Sequence, residues 1–242
     1  MLEVGGFTPL STTDWPGQLA AVVFVQGCPW RCHYCHNVEL QPRAAPAADQ
    51  APDAPAAPRA VDWPGALRTL QRRQGLLDGV VFSGGEPTLD PALPDAMGEV
   101  RDLGFKVGLH TAGIYPDRLK EVLPLADWVG FDLKADFAAY ASVTAVPRSG
   151  QPAWRSFQAV LRAARHDGLD FEVRTTYHPR LHSDDHLLSL ATMLTEAGVS
   201  RWVLQNFRPA YDEHADLASD WLPPQLALLQ RLRETGIELT LR

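Results

Sequence analysis

The chain has 242 residues, 45% of them hydrophobic and 9% aromatic, with a formal net charge of −7. This length and apolar content predict a folded globular protein with a sizeable core. The 22 basic residues form no basic block, so a direct grip on a nucleic acid backbone is not expected. No apolar stretch is long enough to cross a bilayer, and the first residues lack a secretory signal, so we expect a cytoplasmic protein.

One low-complexity segment, residues 44–60, interrupts the chain. It consists of 13 Ala or Pro residues out of 17, and its four prolines exclude a continuous helix or an inner strand. We predict one domain spanning residues 1–242 with a flexible insertion at 44–60. The insertion is either a lid or docking loop, or a tolerated surface feature.

Around this segment, short apolar strands alternate with amphipathic helices. Strands are predicted over 19–26, 80–82, 105–110, 128–133, 171–176, 202–205 and 237–241. Helices are predicted over 66–74, 90–104, 116–123, 154–165, 186–196 and 225–233, the first of them starting at Asp62 and Pro64. Repeated strand–helix units predict an α/β fold with a parallel sheet, either open or curved into a partial barrel. Ligands of such folds bind at the carboxyl ends of the strands.

All three cysteines, Cys28, Cys32 and Cys35, follow the first predicted strand within eight residues. Three crowded thiols indicate metal ligands rather than disulfides. Together they can hold an iron–sulfur cubane and leave its fourth iron open to a chelating ligand. A zinc site that adds His33 or His36 is the alternative, although structural zinc usually takes two separated ligand pairs and the sequence has no second pair.

Polar residues also follow the later strands. The stretch from Ser83 to Thr88 (SGGEPT) offers two glycines for close backbone approach and the carboxylate of Glu86 for an ammonium group, although it could be a plain tight turn. Other polar stretches at strand ends are His110–Gly113, Asp132–Lys134, Arg174–Thr176 and Gln205–Phe207. Their recurrence at successive strand ends predicts a ring of loops around one ligand.

The Cys-x3-Cys-x2-Cys spacing, with Tyr34 before the last cysteine and Gly-Gly-Glu-Pro after the second predicted strand, resembles the radical S-adenosylmethionine (SAM) superfamily. Within it, the chain is most similar to glycyl-radical-enzyme activases, in particular the activating proteins of anaerobic ribonucleoside-triphosphate reductases. The shared features include Asp14-Trp15-Pro16-Gly17, Gln26-Gly27-Cys28 and Cys35-His36-Asn37.

The resemblance implies a partial (β/α)6 TIM-like barrel of parallel strands with outer helices. It also implies a [4Fe–4S] cluster on the three cysteines and SAM bound to the open iron. Reductive cleavage of SAM would yield a 5′-deoxyadenosyl radical that takes hydrogen from a glycine of the partner reductase, with flavodoxin or ferredoxin as the electron donor. The implied SAM contacts are Gly84, Gly85 and Glu86 at the methionyl amine, Thr111, Asp132, Lys134 and Arg174 around the carboxylate and ribose, and Tyr34, His36 and Asn37 near the adenine.

The sequence departs from the pattern of pyruvate formate-lyase activases at His110. Pyruvate formate-lyase activases usually carry an aspartate there, which helps to bind a monovalent cation, so either the cation site is lost or His110 simply packs against the barrel rim. Two rival functions stay open. One is a small-molecule radical SAM enzyme such as a 7-carboxy-7-deazaguanine synthase, and the other is a zinc-binding structural or interaction protein.

Overall fold

The computed structural model describes residues 1–43, 61–209, 215–219 and 222–242, so the insertion predicted at 44–60 lies outside the described residues. The described chain forms two compact units. The first comprises Met1–Pro29, Asn37–Thr111 and Asp117–Val129, and the second comprises Trp30–His36, Ala112–Pro116 and Gly130–Arg242. That residues 1–242 form a single domain stays a prediction.

The first unit is built on four strands: β1 (Val4–Ser11), β2 (Ala20–Val25), β3 (Gly79–Gly84) and β4 (Lys106–Thr111). β1 runs antiparallel to β2, whereas β2, β3 and β4 are parallel neighbours, with Val23 opposite Phe82 and Phe82 opposite Leu109. The buried apolar runs of β2 and β3 explain why they were predictable, since strands covered on both faces need not alternate. β1 was missed because it is only half-buried and contains glycines and a proline.

The helices of this unit correspond to the three predicted over 66–74, 90–104 and 116–123, with bounds that differ by up to three residues. They are α1 (Trp63–Gln71), α2 (Leu93–Asp102) and α3 (Pro116–Val122), of which Pro116 itself is assigned to the second unit. The Asp62 carboxylate accepts a hydrogen bond from the Gly65 N–H at 2.9 Å and caps α1. Gly104, with a φ of +85°, ends α2, as a glycine in the left-handed region commonly does.

Trp15 belongs to a buried hydrophobic cluster of the first unit. Its ring stacks on Trp128 with 5.5 Å between centroids, and Ala20, Val22 and Val81 complete the cluster. Gly79 makes room for the indole, because a Cβ there would lie 2.8 Å from the Trp15 ring. The Asp14–Gly17 motif therefore contributes a core residue.

The second unit contains three parallel strands in the order β6, β7, β8. The strands are β6 (Asp170–Tyr177), β7 (Arg201–Asn206) and β8 (Glu238–Leu241). The helices are α4 (Tyr140–Thr144), α5 (Gly150–His166), α6 (Asp184–Glu196), α7 (Ala215–Ser219) and α8 (Leu226–Glu234). The five-residue helices α4 and α7 were not predicted, since one turn carries too little periodicity to recognise.

Strand β5 (Trp128–Asp132) begins in the first unit and ends in the second. The alternation of parallel strands and helices confirms the predicted α/β class. Within the part of the chain that the structure describes, no helix is both long and apolar enough to span a bilayer.

Candidate active site

We call residues 84–88 together with Thr111 the Glu86 turn. Its backbone is tied to the end of β2: Gly85 N donates to Val25 O at 3.0 Å, and Glu86 N donates to Gly27 O at 2.9 Å. Gly84 has a φ of +114°, and a Cβ on Gly85 would collide with Gly27 O. In this structure, the close approach that the two glycines allow is an approach to the chain's own backbone, next to Cys28 in sequence.

The Glu86 carboxylate is almost completely buried, with 1% of the residue exposed. Its Oε1 accepts hydrogen bonds from Thr88 Oγ1 and Thr111 Oγ1, both at 2.6 Å, and from Thr88 N at 3.2 Å. Hydrogen bonds to a charged acceptor are shorter and stronger than neutral ones. Thr111, predicted beside the SAM carboxylate and ribose, thus directs its hydroxyl to Glu86. Asn37, predicted near the adenine, donates to Gly84 O at 3.3 Å.

Charged side chains near the Glu86 turn form hydrogen bonds with the backbone around it. The buried Asp90 carboxylate accepts from Glu3 N at 3.0 Å, from Ala92 N at 2.9 Å and from Arg43 at 3.2 Å. Arg118 donates to the carbonyl oxygens of Thr88 and Leu89. The backbone around Glu86 is therefore held by residues that lie far from it in sequence, namely Glu3, Arg43 and Arg118.

His110 is integrated into the first unit. Its Nε2 lies 2.8 Å from the Asp14 carbonyl oxygen, its Nδ1 lies 3.1 Å from Ser83 Oγ, and its ring meets Trp128 edge-on. A carbonyl can only accept, so Nε2 carries a proton. His110 packs against Trp128 and links Ser83 to the Asp14–Gly17 motif.

In the second unit, Asp132, Lys134 and Arg174 come together as predicted. Arg174 Nε and Nη2 both reach Asp132 Oδ1, at 2.8 and 2.7 Å. Lys134 Nζ lies 3.9 Å from Asp132 Oδ2, in agreement with the prediction that residues two apart at a strand end face the same side. The Arg174 and Lys134 side chains are largely buried. Their charges are therefore balanced by Asp132 inside the second unit.

Tyr34 lies against the same group. Lys134 Nζ is 5.6 Å from the centroid of the Tyr34 ring. Burial alone would lower the pKa of the Lys134 ammonium, but Tyr34, Cys32 and Asp132 outweigh burial and raise this pKa, so Lys134 stays cationic. The buried Tyr34 hydroxyl has no hydrogen-bond partner among the described residues.

His182 completes the set that we call the Lys134 cluster: Tyr34, Asp132, Lys134, Arg174 and His182. Its Nε2 lies 2.8 Å from the Lys134 carbonyl oxygen, and its ring stacks on Tyr34. His182 follows β6, so its position after a strand could have drawn attention to it. His182 was not among the predicted site residues.

Helix α4 supports the segment that carries Cys32 and Cys35. Arg31 N donates to Thr144 O at 3.1 Å and His33 N donates to Val143 O at 3.2 Å. The Trp30 ring meets Tyr140 edge-on at 5.8 Å, and the Tyr140 hydroxyl accepts from Lys134 N at 3.4 Å. Tyr140 was also missed, because nothing in the local sequence distinguishes it.

The remaining predicted adenine contact, His36, stacks on Phe207 with 6.0 Å between ring centroids. Phe207 follows β7, where the sequence predicted a polar strand end, and its ring also meets His178 edge-on at 5.2 Å. His36 is therefore held by an aromatic contact within the second unit.

The three cysteines are partly exposed, and none forms a disulfide. Cys28 belongs to the first unit, and Cys32 and Cys35 belong to the second, where Cys35 N donates to Cys32 O at 3.0 Å. Burial raises the pKa of the Cys32 thiol, although the Lys134 cation opposes the shift. Over residues 1–43, 61–209, 215–219 and 222–242, no three His, Cys, Asp or Glu side chains form a ready metal-binding group.

The donor types of these residues fit an iron–sulfur cluster with a polar ligand. Three accessible thiols without disulfide partners are the ligand type that such clusters use. The unpaired Tyr34 hydroxyl, buried beside the Lys134 cation, is an orphaned donor that a bound ligand would satisfy.

Comparisons with known proteins agree with this chemistry. A protein of Methanocaldococcus jannaschii whose name assigns it as a glycyl-radical enzyme activating enzyme is 27% identical over 220 residues, 87% of this chain and 82% of that protein. The pyruvate formate-lyase-activating enzyme of Clostridium pasteurianum is 29% identical over 201 residues, 80% of this chain and 76% of that enzyme.

Solved structures show the fold. A radical SAM methyltransferase from Sphaerobacter thermophilus matches with a TM-score of 0.67 and 17% identity, covering 96% of this chain and 68% of that one. The chain spans 48% of the length of SuiB from Streptococcus suis, another solved structure that it matches. This likeness confirms the predicted α/β class with a partial TIM-like barrel of parallel strands.

The model of the radical SAM superfamily matches residues 22–194, which is more than half of the chain. The matched region contains the three cysteines, the Glu86 turn and all members of the Lys134 cluster. The chain therefore belongs to the radical SAM superfamily, whose members hold a [4Fe–4S] cluster and bind SAM.

Proposed function

We propose that this radical SAM enzyme is an activase that generates a glycyl radical on an anaerobic ribonucleoside-triphosphate reductase. The observation that carries the activase assignment is the similarity to activating enzymes over 80–87% of the chain. The Asp14–Gly17 and Cys35–Asn37 motifs support the reductase as the partner, because they resemble the reductase activases. A low-potential flavodoxin or ferredoxin is the electron donor that we expect.

We assign the cofactor contacts by residue. The cluster ligands are Cys28, Cys32 and Cys35; the SAM contacts are Tyr34, His36, Asn37, Gly84, Gly85, Glu86, Thr111, Asp132, Lys134 and Arg174. The cofactor pair supplies the radical chemistry, namely reductive cleavage of SAM and removal of a hydrogen atom from a glycine Cα.

The chain's own groups bind and orient. Glu86 offers a carboxylate, already aligned by Thr88 and Thr111, to the ammonium group of SAM. Lys134 offers a cation for the SAM carboxylate, and Arg174 keeps Asp132 in place beside it. No side chain is required as a dedicated acid or base.

The test uses the reconstituted enzyme, reduced under anaerobic conditions, with SAM and a purified anaerobic ribonucleoside-triphosphate reductase. We expect an EPR doublet of a glycyl radical on the reductase and stoichiometric 5′-deoxyadenosine. A reductase in which the radical glycine is replaced by alanine serves as the control and should give no doublet. SAM cleavage without a doublet would instead favour a small-molecule substrate, and a colourless protein with one zinc would favour the structural alternative.

A further inference from the structure

His182 is a buried histidine to which the proposed reaction gives no role. It lies between β6 and α6 and is 2% exposed. Its two ring nitrogens both have partners: Nε2 lies 2.8 Å from the Lys134 carbonyl oxygen, and Nδ1 lies 3.2 Å from His178 N. Both partners belong to the second unit.

The Lys134 carbonyl can only accept, so Nε2 of His182 donates. Nδ1 lies 3.2 Å from the His178 N–H and 3.3 Å from the His178 carbonyl oxygen, and a neutral ring makes Nδ1 the acceptor of the N–H. A neutral ring with its proton on Nε2 satisfies both bonds. Burial lowers the pKa of His182, which keeps the ring neutral.

The faces of the ring contact tyrosines. His182 stacks on Tyr34 with 6.4 Å between centroids and an interplanar angle of 27°, and it packs against Tyr177 at 6.2 Å. His182 therefore contacts two predicted SAM contacts by different means, the backbone of Lys134 through a hydrogen bond and the ring of Tyr34 through stacking.

The position of the Tyr34 ring matters because its hydroxyl is available to a ligand. Its hydroxyl is buried without a hydrogen-bond partner in the described chain, and such groups are rare in folded proteins unless a ligand or water completes them. Lys134 Nζ lies 5.6 Å from the same ring. A ligand that brings an acceptor atom close to Tyr34 and a negative group close to Lys134 would satisfy both.

We infer that His182 is a positioning residue for SAM: it holds the Tyr34 ring and the Lys134 main chain so that the Tyr34 hydroxyl donates to an acceptor atom of bound SAM. This inference rests on the SAM contacts assigned under the proposed function. His182 itself acts through Tyr34 and Lys134, and it takes no part in the electron transfer.

The experiment measures reductive SAM cleavage by the reconstituted holoenzyme, without any partner protein, together with iron content and the EPR spectrum of the reduced cluster. His182→Leu removes the hydrogen bond and the stacking, and we expect it to raise the KM for SAM about tenfold, with kcat and iron content close to wild type. His182→Gln can place an N–H near the position of Nε2 and should recover most of the affinity. His166→Gln, in the last turn of α5 and exposed, is the control for the loss of a histidine, and its KM should stay near wild type.

Three outcomes would overturn the inference: an unchanged KM in His182→Leu, a loss of activity in proportion to iron, or an equal rise of KM in His166→Gln. If His182→Leu does not fold, Tyr34→Phe decides, because loss of the hydroxyl alone should raise the KM about tenfold while iron is retained. An unchanged KM in Tyr34→Phe refutes the inference. A wild-type protein that cannot cleave SAM at all would refute the proposed function instead, and a missing glycyl radical leaves this test intact.

Discussion

In the Glu86 turn, one carboxylate oxygen accepts three hydrogen bonds from the chain itself, whereas in the Lys134 cluster the Tyr34 hydroxyl has no partner among the described residues. The first region is organised by short polar bonds, and the second by ring stacking and the ion pairs of Asp132 with Arg174 and Lys134. The difference indicates that the two regions contribute to ligand binding in different ways. We expect the Glu86 turn to be preorganised before SAM binds and the Lys134 cluster to be completed by SAM.

The largest effect that this comparison predicts comes from Cys32, whose thiol lies within electrostatic reach of the Lys134 cluster. Cys32→Ser should abolish cluster binding and SAM cleavage, because a hydroxyl is a poor iron ligand. Iron and sulfide content and the EPR spectrum of the reduced protein measure the loss.

His33→Ala is the control for the cysteine variant, since His33 is a ligand only under the zinc alternative. We expect His33→Ala to keep its iron and its SAM cleavage. Loss of metal in both variants, with zinc as the metal found, would contradict the cluster assignment.

The next effect concerns the preorganised region. Glu86→Gln removes the negative charge and should lower kcat/KM for SAM about 100-fold, whereas Thr88→Val removes one of three donors and should lower it about tenfold. Both are measured as 5′-deoxyadenosine formation by the reduced holoenzyme.

Thr88→Ser is the matched control, because it keeps the hydroxyl and should restore most of the rate. If Thr88→Val matches wild type, the hydrogen bonds to Glu86 do not organise SAM binding, and the contrast between the two regions disappears.

A smaller effect tests the ion pair of the Lys134 cluster. Arg174→Met leaves the Asp132 carboxylate without its main partner and should lower the free energy of unfolding by about 2 kcal/mol, a value reduced from that of a fully buried pair because Asp132 is partly exposed. Urea denaturation of the apoprotein, followed by circular dichroism, measures the change.

The control for Arg174 is Arg201→Met, which breaks an exposed pair with Asp170 at 3.8 Å. That variant should lose no more than about 0.5 kcal/mol. Equal losses in the two variants would show that the Asp132–Arg174 pair is an ordinary surface contact.

The smallest effect is a pH dependence of stability that His182 contributes. Its pKa in the folded protein lies below the ordinary value of 6.5, so near that pH the unfolded chain binds more protons than the folded one. The contribution to stability is therefore present above pH 6.5 and is lost as the pH falls through and below it. His182→Gln should show a shallower decline of Tm between pH 7.5 and 5.5 than wild type. An identical slope in His182→Gln and wild type would contradict the assignment of a neutral, buried ring.

Much of the fold followed from local pattern. The predicted strands at 80–82 and 105–110 correspond to β3 and β4, and the Asp62 start of α1 is confirmed, because apolar runs, capping residues and glycine stops are properties of a few adjacent residues. The pattern could not show β1 or α4. These elements owe their positions to partners elsewhere in the chain, β2 for β1 and the cysteine-bearing segment for α4.

The sequence by itself determined the superfamily, through the spacing of three cysteines and the Gly-Gly-Glu-Pro turn. Each of these two motifs is a short run of adjacent residues, so each can be recognised without the fold. Only the tertiary structure decided that Thr88 and Thr111 bind the same oxygen of Glu86, that Trp15 needs Gly79, and that His182 links Tyr34 to Lys134. The physical reason is range. These contacts join residues up to about 150 positions apart, where periodicity carries no information and packing alone selects the neighbours.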